Sequence, residues 1–184
     1  MRYFLAFAAT LGLVFLVLVL LFRGGGSPKL PHTGKSTLSY ATTDAQARLT
    51  IDGPVNADQN HQIVQITVGK DLVTYQQIQG YQGHAVNTLT FANNENAYAN
   101  FLLALARAGF TNGSNDPSLQ DERGYCPLGD RYIFQFTQDG TDIERYWATN
   151  CGNPKTYLGN LNLTLDLFQA QVPNYSVLAG GLDL

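Results

Sequence analysis

The sequence predicts an α+β fold: an antiparallel sheet of five or six strands with two packed helices, preceded by one N-terminal transmembrane helix. Three observations predict it. Several short runs alternate apolar and polar residues and are divided by turn signals. Two later stretches repeat their apolar residues at helical spacing. Residues 3–22, YFLAFAATLGLVFLVLVLLF, contain no charge and no proline.

That apolar run comes first. At ~1.5 Å per residue it reaches ~30 Å, the thickness of a bilayer's hydrocarbon core. It is longer than the core of a signal peptide, and Arg23 closes it. Gly24 and Gly26 offer a small-x-small cleavage site, so a cleaved signal stays as the alternative to an anchor. No cysteine follows directly, which excludes lipoprotein processing. The remaining chain is too short to cover a buried helix on all sides. The expected organisation is an anchor at 1–23, a flexible linker at 24–38 and a single globular α+β domain at 39–184. The first expected partner is then the lipid bilayer, through Tyr3 to Phe22.

Orientation draws on opposing signals. Arg2 flanks the run on one side and Arg23, Lys29 and Lys35 on the other, which by the positive-inside rule favours a cytoplasmic domain. A short N-terminal tail ahead of a large domain usually sends the domain outward, and the cysteines and composition agree. The expectation is a single-pass protein of the cell membrane with its C-terminal domain outside the cytoplasm.

Net charge is −3, and only 14% of residues are charged, against ~25% in a typical soluble protein. The eleven Lys and Arg residues are scattered, so no basic surface for nucleic acid is expected. Asn, Gln, Thr and Tyr carry the polarity instead, which suits an exported domain.

The linker contains two misleading patterns. LPHTG at 30–34 matches a sortase signal but stands at the wrong end of the chain, with no apolar tail after it. Gly34-Lys35-Ser36 resembles the end of a P-loop, but position 29 is Lys29 where a glycine is required.

Strands follow. Residues 48–52 alternate and stop at Gly53-Pro54. Residues 61–69 and 71–79 form a hairpin around Gly69-Lys70, with Val68 opposite Asp71, Ile66 opposite Val73 and Val64 opposite Tyr75. Residues 80–83 turn, and 85–91 make the next strand. A helix spans 93–108, capped by Asn93 or Asn94, with Glu95 in its first turn and Gly109 as its stop. Tyr98, Phe101, Leu102 and Leu105 form its apolar stripe. Residues 111–125 read as a solvated polar loop. Asp116, Asp121 and Glu122 lack the alternate spacing of a calcium loop.

Residues 131–138 and 141–150 form a hairpin at Asp139-Gly140. Pairing Gln138 with Thr141 places Phe134 opposite Arg145 and Tyr132 opposite Trp147 on the core face. Tyr146 and Ile133 then share the other face. The same register brings Cys126 and Cys151 together, and a disulfide between them is expected. A zinc site is not, since there is no CxxC pair and the three histidines are dispersed. After a linker-like 152–159, Asn160 or Asn162 caps a helix to about 171. Leu161, Leu165 and Phe168 form its apolar side, and Pro173 follows.

No catalytic constellation stands out. There is no GxSxG, and His61 and His84 read as polar residues at strand edges. Eleven Asp and three Glu give no pair singled out by spacing. None of these patterns calls for a cofactor. Three Asn-x-Ser/Thr sequons, at Asn112, Asn162 and Asn174, matter only in a eukaryotic secretory pathway. Tyr81 in a turn, Tyr125 beside Cys126 and Tyr146 on the second hairpin are the candidates for a binding surface, since tyrosine buries area and keeps a polar handle.

The blocks NFLLALARAGF at 100–110, RGYCPLGDRYIF at 123–134, RYWATNCG at 145–152 and LFQAQVPNY at 167–175 resemble those of a family of uncharacterised, membrane-anchored, exported bacterial proteins. The resemblance covers roughly residues 48–178. It implies an exported domain and carries no activity. The expected function is a membrane-tethered extracytoplasmic binding or envelope-structural module without catalytic activity, its partner an envelope protein or glycan. The alternative is a cell-envelope hydrolase whose site is assembled from distant residues.

Overall fold

Residues 36–182 are described by a computed structural model. The expected anchor at 3–22 and the linker residues up to 35 lie outside the described residues. Among those described, no helix is long and apolar enough to cross a membrane.

Six strands form one antiparallel sheet: β1 (Gln46–Asp52), β2 (Gln62–Val68), β3 (Leu72–Gln79), β4 (His84–Ala92), β5 (Arg131–Gln138) and β6 (Thr141–Thr149). Their order is β4-β3-β2-β1-β5-β6. β1 joins the two halves because it pairs on both sides, with β2 and with β5. Alternation puts Ala47, Leu49 and Ile51 of β1, and Val64, Ile66 and Val68 of β2, on one buried face.

Helix α1 (Glu95–Ala108) covers that face with Tyr98, Phe101, Leu102 and Leu105. The Asn94 side chain accepts from the Ala97 N–H, and Gly109 closes the helix in the left-handed region at φ 79°. Helix α2 (Leu161–Gln169) is capped by Asn160, whose side chain accepts from the Leu163 N–H. The Phe101 and Phe168 rings meet edge-on at 5.3 Å and join the two helices. A short helix α3 (Tyr175–Ala179), unmarked in the sequence, follows. The chain is packed from Thr37, ahead of the expected boundary at 39. Thr37 is buried, and Tyr40 packs on Phe136.

Both hairpins depart from the expected register. In β2–β3 the turn centres on Lys70-Asp71, closed by the Gly69 N–H donating to the Leu72 carbonyl. Val68 therefore faces Val73, and Ile66 faces Tyr75. The shift is an even number of residues, so every side chain keeps its expected face. In β5–β6 the Asp139-Gly140 turn forms as expected, with both residues at positive φ. A bulge at Ile143 then shifts the register by one, so that Phe136 faces Glu144, Phe134 faces Tyr146 and Ile133 faces Trp147. That inverts β6 beyond the bulge. Tyr146 belongs to the core at 4% exposure, and Trp147 lies on the opposite face.

The loop after α1 is solvated as expected, with no buried residue from 111 to 125, but it is also pinned to the sheet. It bends around the β6 edge. The Trp147 indole N–H donates to the Leu119 carbonyl at 2.7 Å, Tyr125 stacks on the Trp147 ring at 5.2 Å, and Arg145 pairs with Glu122 at 2.6 Å. The expected disulfide, Cys126–Cys151, ties the end of this loop to the segment after β6.

Candidate functional site

Two polar regions compete for attention. The first is an ionic cluster where β1, β2 and β5 meet at one end of the sheet. Asp52 ends β1 before the Gly53-Pro54 turn, and Arg131 opens β5 directly opposite it. The Arg131 guanidinium donates to Asp52 Oδ2 at 3.0 Å through Nε and to the Gly53 carbonyl at 3.3 Å. His61, just before β2, places Nε2 2.9 Å from Asp52 Oδ1 and Nδ1 3.1 Å from the Pro54 carbonyl. Tyr81 lies over the imidazole, ring on ring at 4.1 Å.

The cluster is buried: His61 is 1% and Arg131 4% exposed. The expectation that His61 is a polar edge residue is corrected here, because the 53–61 and 80–83 turns fold over it. The chemistry of the arrangement is structural. Both ring nitrogens face acceptors and the ring face is capped by Tyr81, so no nitrogen is presented to a substrate. Asp52 and Arg131 carry no motif in the sequence. The one available signal is that each charge stands at the end of a strand, and only the β1–β5 pairing brings them together.

The second region is the sheet face that no described α-helix covers. Cross-strand pairing lines up one row as Thr90, Thr74, Thr67, Arg48, Gln135 and Arg145, and the next as Thr88, Gln76, Gln65, Thr50, Ile133 and Trp147. Hydrogen bonds run within the rows. Arg48 Nε donates to Thr67 Oγ1 at 3.3 Å, and the Gln65 amide donates to Thr50 Oγ1 at 3.2 Å. With strands ~4.8 Å apart, each row is ~24 Å long. The wall at the β6 side is the loop that covers Trp147 and Arg145. Beside it a groove of about 720 Å³ opens over Arg48, Gln135 and Thr137, rimmed by Asp44, Asp139 and Asp142. The Gln135 amide is held by both Asp142 carboxylate oxygens at 3.2 Å. Asp44 pairs instead with Lys70 at 2.9 Å, an exposed contact that raises the Lys70 pKa.

The three tyrosine candidates separate. Tyr81 is 50% exposed, but its outer edge is tied to the Asn56 backbone and its N–H to Asp58. Tyr125 is half-buried against Trp147. Tyr146 is no surface residue at all. The β6 bulge turns it inward, where it bonds Glu144 and packs on Gly113. Burial, with the Glu144 carboxylate beside it, pushes the Tyr146 phenol well above its ordinary value.

Asp121 stands outside both regions. The Arg123 guanidinium holds its carboxyl down to about 2, an exposed pair on the covering loop. Among the described residues, no three His, Cys, Asp or Glu side chains converge as a metal ligand set. No protein-family model matches the chain, and no curated protein matches it.

Proposed function

We propose that this chain is a membrane-tethered, extracytoplasmic binding module without catalytic activity, whose open sheet face receives an uncharged, hydroxyl-rich ligand such as an envelope glycan. The open face carries the reading. Threonine hydroxyls and glutamine amides both donate and accept, as sugar hydroxyls do, and Arg48 adds fixed donors at the groove. The anchor at 3–22 supplies the tether. Support for an outside location comes from the disulfide, a bond that persists in oxidising compartments. Support for a non-catalytic role comes from His61, whose nitrogens are both engaged inside the fold.

The test is retention of the full-length protein, in detergent, on insoluble cell-wall polysaccharide. Replacing Arg48 and Gln135 together by Ala is expected to weaken retention about tenfold or more, since a hydrogen bond from a charged donor contributes about 1.5–3 kcal/mol. Leu103→Ala, on the exposed side of α1, leaves retention unchanged. Equal retention of all three proteins, or release of soluble sugar fragments by the wild type, overturns the reading.

A further inference from the structure

The two edges of the sheet are treated differently. At the β6 edge, the Thr156 and Tyr157 N–H groups donate to the Trp147 carbonyl at 2.9 and 2.8 Å, and the Trp147 N–H donates to Thr156 Oγ1 at 2.8 Å. β6 also carries three charged residues, Asp142, Glu144 and Arg145. At the β4 edge, no described segment hydrogen-bonds to the outer side of the strand. β4 is nine residues long, HAVNTLTFA, with no acidic or basic residue other than His84, no proline and no glycine. Its neighbour β3 has no charge either. Soluble proteins usually protect a bare edge with lysine, proline, a bulge or a short strand. Here one such device is present, a bulge opposite Gln77 and Ile78 that leaves Val86 61% exposed at the start of the strand. From Asn87 to Ala92 the edge is regular and unprotected.

We infer that this edge pairs with β4 of a second copy of the chain, antiparallel and two-fold symmetric about Leu89. Three features select a second copy as the occupant. The edge has no fixed charge to select a charged foreign strand, and therefore none to repel its own image. Centring the pair on Leu89 keeps the whole contact within the regular stretch, clear of the bulge. That register also makes self-complementary pairs on each face, as an isologous contact requires. On the open face, Thr88 of each copy stands opposite Thr90 of the other. On the helix face, Leu89 meets Leu89, and Asn87 meets Phe91. The two Thr88–Thr90 pairs are a favourable combination across antiparallel strands, Leu89 against Leu89 is an apolar contact, and the Asn87–Phe91 pairs add no such preference. The rows of Thr and Gln then continue across the two-fold, and the open face doubles in width.

Two differently tagged full-length chains are co-expressed in membranes, one carrying Thr88→Cys and the other Thr90→Cys, and oxidised. A mixed-tag covalent dimer is expected. It is not expected when Thr90→Cys is combined with Thr67→Cys, which shares the face but lies in the central strand β2. Independently, the mass of the detergent-solubilised full chain is measured by light scattering. The wild type is expected as a dimer. The Thr88→Lys/Thr90→Lys variant, which sets lysine against lysine at two pairs, is expected as a monomer that still unfolds in one cooperative urea transition, at a midpoint that no longer depends on protein concentration. Absence of the mixed dimer, equal yield from the Thr67→Cys combination, or a monomeric wild type at every concentration overturns the inference. Glycan retention by a monomeric wild type would overturn the pairing and leave the proposed ligand standing.

Discussion

Asp52 holds together the ionic cluster at the buried end of the sheet. Its two oxygens face Arg131 and His61, and both partners are buried. Removing one member of a buried ionic group leaves the others uncompensated, which costs about 3–5 kcal/mol. Asp52→Ala is expected to lose that much in urea unfolding, whereas Asp142→Ala, at the exposed rim of the groove, changes the midpoint little. Tyrosines supply a second residue-scale prediction. Burial pushes Tyr132 and Tyr175 up to about 12 from an ordinary 10.0, with Asp130 adding to the Tyr132 shift. Tyr98, whose hydroxyl donates to the Ala45 carbonyl at 2.6 Å, is raised further by burial alone. A folded state that holds these protons more tightly than the unfolded chain is favoured below pH 10 and loses that advantage as pH rises toward about 12. The urea midpoint should hold to about pH 10 and then fall. A midpoint that stays constant from pH 10 to about pH 12 would refute it. Of the ionic cluster, the sequence shows only His61 as a residue of interest. Asp52 and Arg131 are separated by most of the domain and look like ordinary strand ends until β1 and β5 are paired.

At the scale of elements, the parts with local causes are the ones that can be read from the chain. Helix α1 begins and ends where Asn94 and Gly109 require, and α2 begins at Asn160, because a cap is a contact between near neighbours. Asn94→Ala and Asn160→Ala should each cost about 1 kcal/mol, and nearly additively, since they sit on different helices. The strands are legible for the same reason, through alternation and turn residues. Register is not. The β6 bulge adds one residue, Ile143, to a run that alternates poorly because both of its faces become buried, Tyr146 against Gly113 of the loop after α1 and Trp147 under the covering loop. An alternation argument needs one polar face, and here loop 111–130 removes it. Gly113 shows how tight the closure is. A Cβ there would collide with the Tyr146 ring, so Gly113→Ala should destabilise by about 1–3 kcal/mol through overpacking. Gly140→Ala meets no atom within contact range but must hold φ 76°, so its cost is backbone strain alone, about 1–2 kcal/mol.

Residues 36–182 form a sheet with helices packed on one face; among the described residues no α-helix covers the other face, the β6 edge is bonded at Trp147 by Thr156 and Tyr157, and nothing hydrogen-bonds to the outer side of β4. The crossover through α1 produces this form. It carries the chain over the core from β4 to the far side of β1, so the last hairpin adds beside the first strand. The disulfide then locks the covering loop to that hairpin. Its loop spans a separation of 25 residues, for which loop closure predicts about 3.5 kcal/mol of stabilisation. The bond also reports on location, because it is retained only where thiols are not kept reduced. The decisive experiment labels intact cells with a membrane-impermeant thiol reagent. If the domain is outside, Cys126 and Cys151 react only after an external reductant is added, and the reduced protein unfolds at a lower urea concentration. Labelling that needs lysis, and needs no reductant, would place the domain in the cytoplasm with free thiols. That outcome would favour the positive-inside count from Arg23, Lys29 and Lys35 and remove the support for an extracytoplasmic ligand. The sugar-like chemistry of the open face would then have to be matched to a ligand on the other side of the membrane.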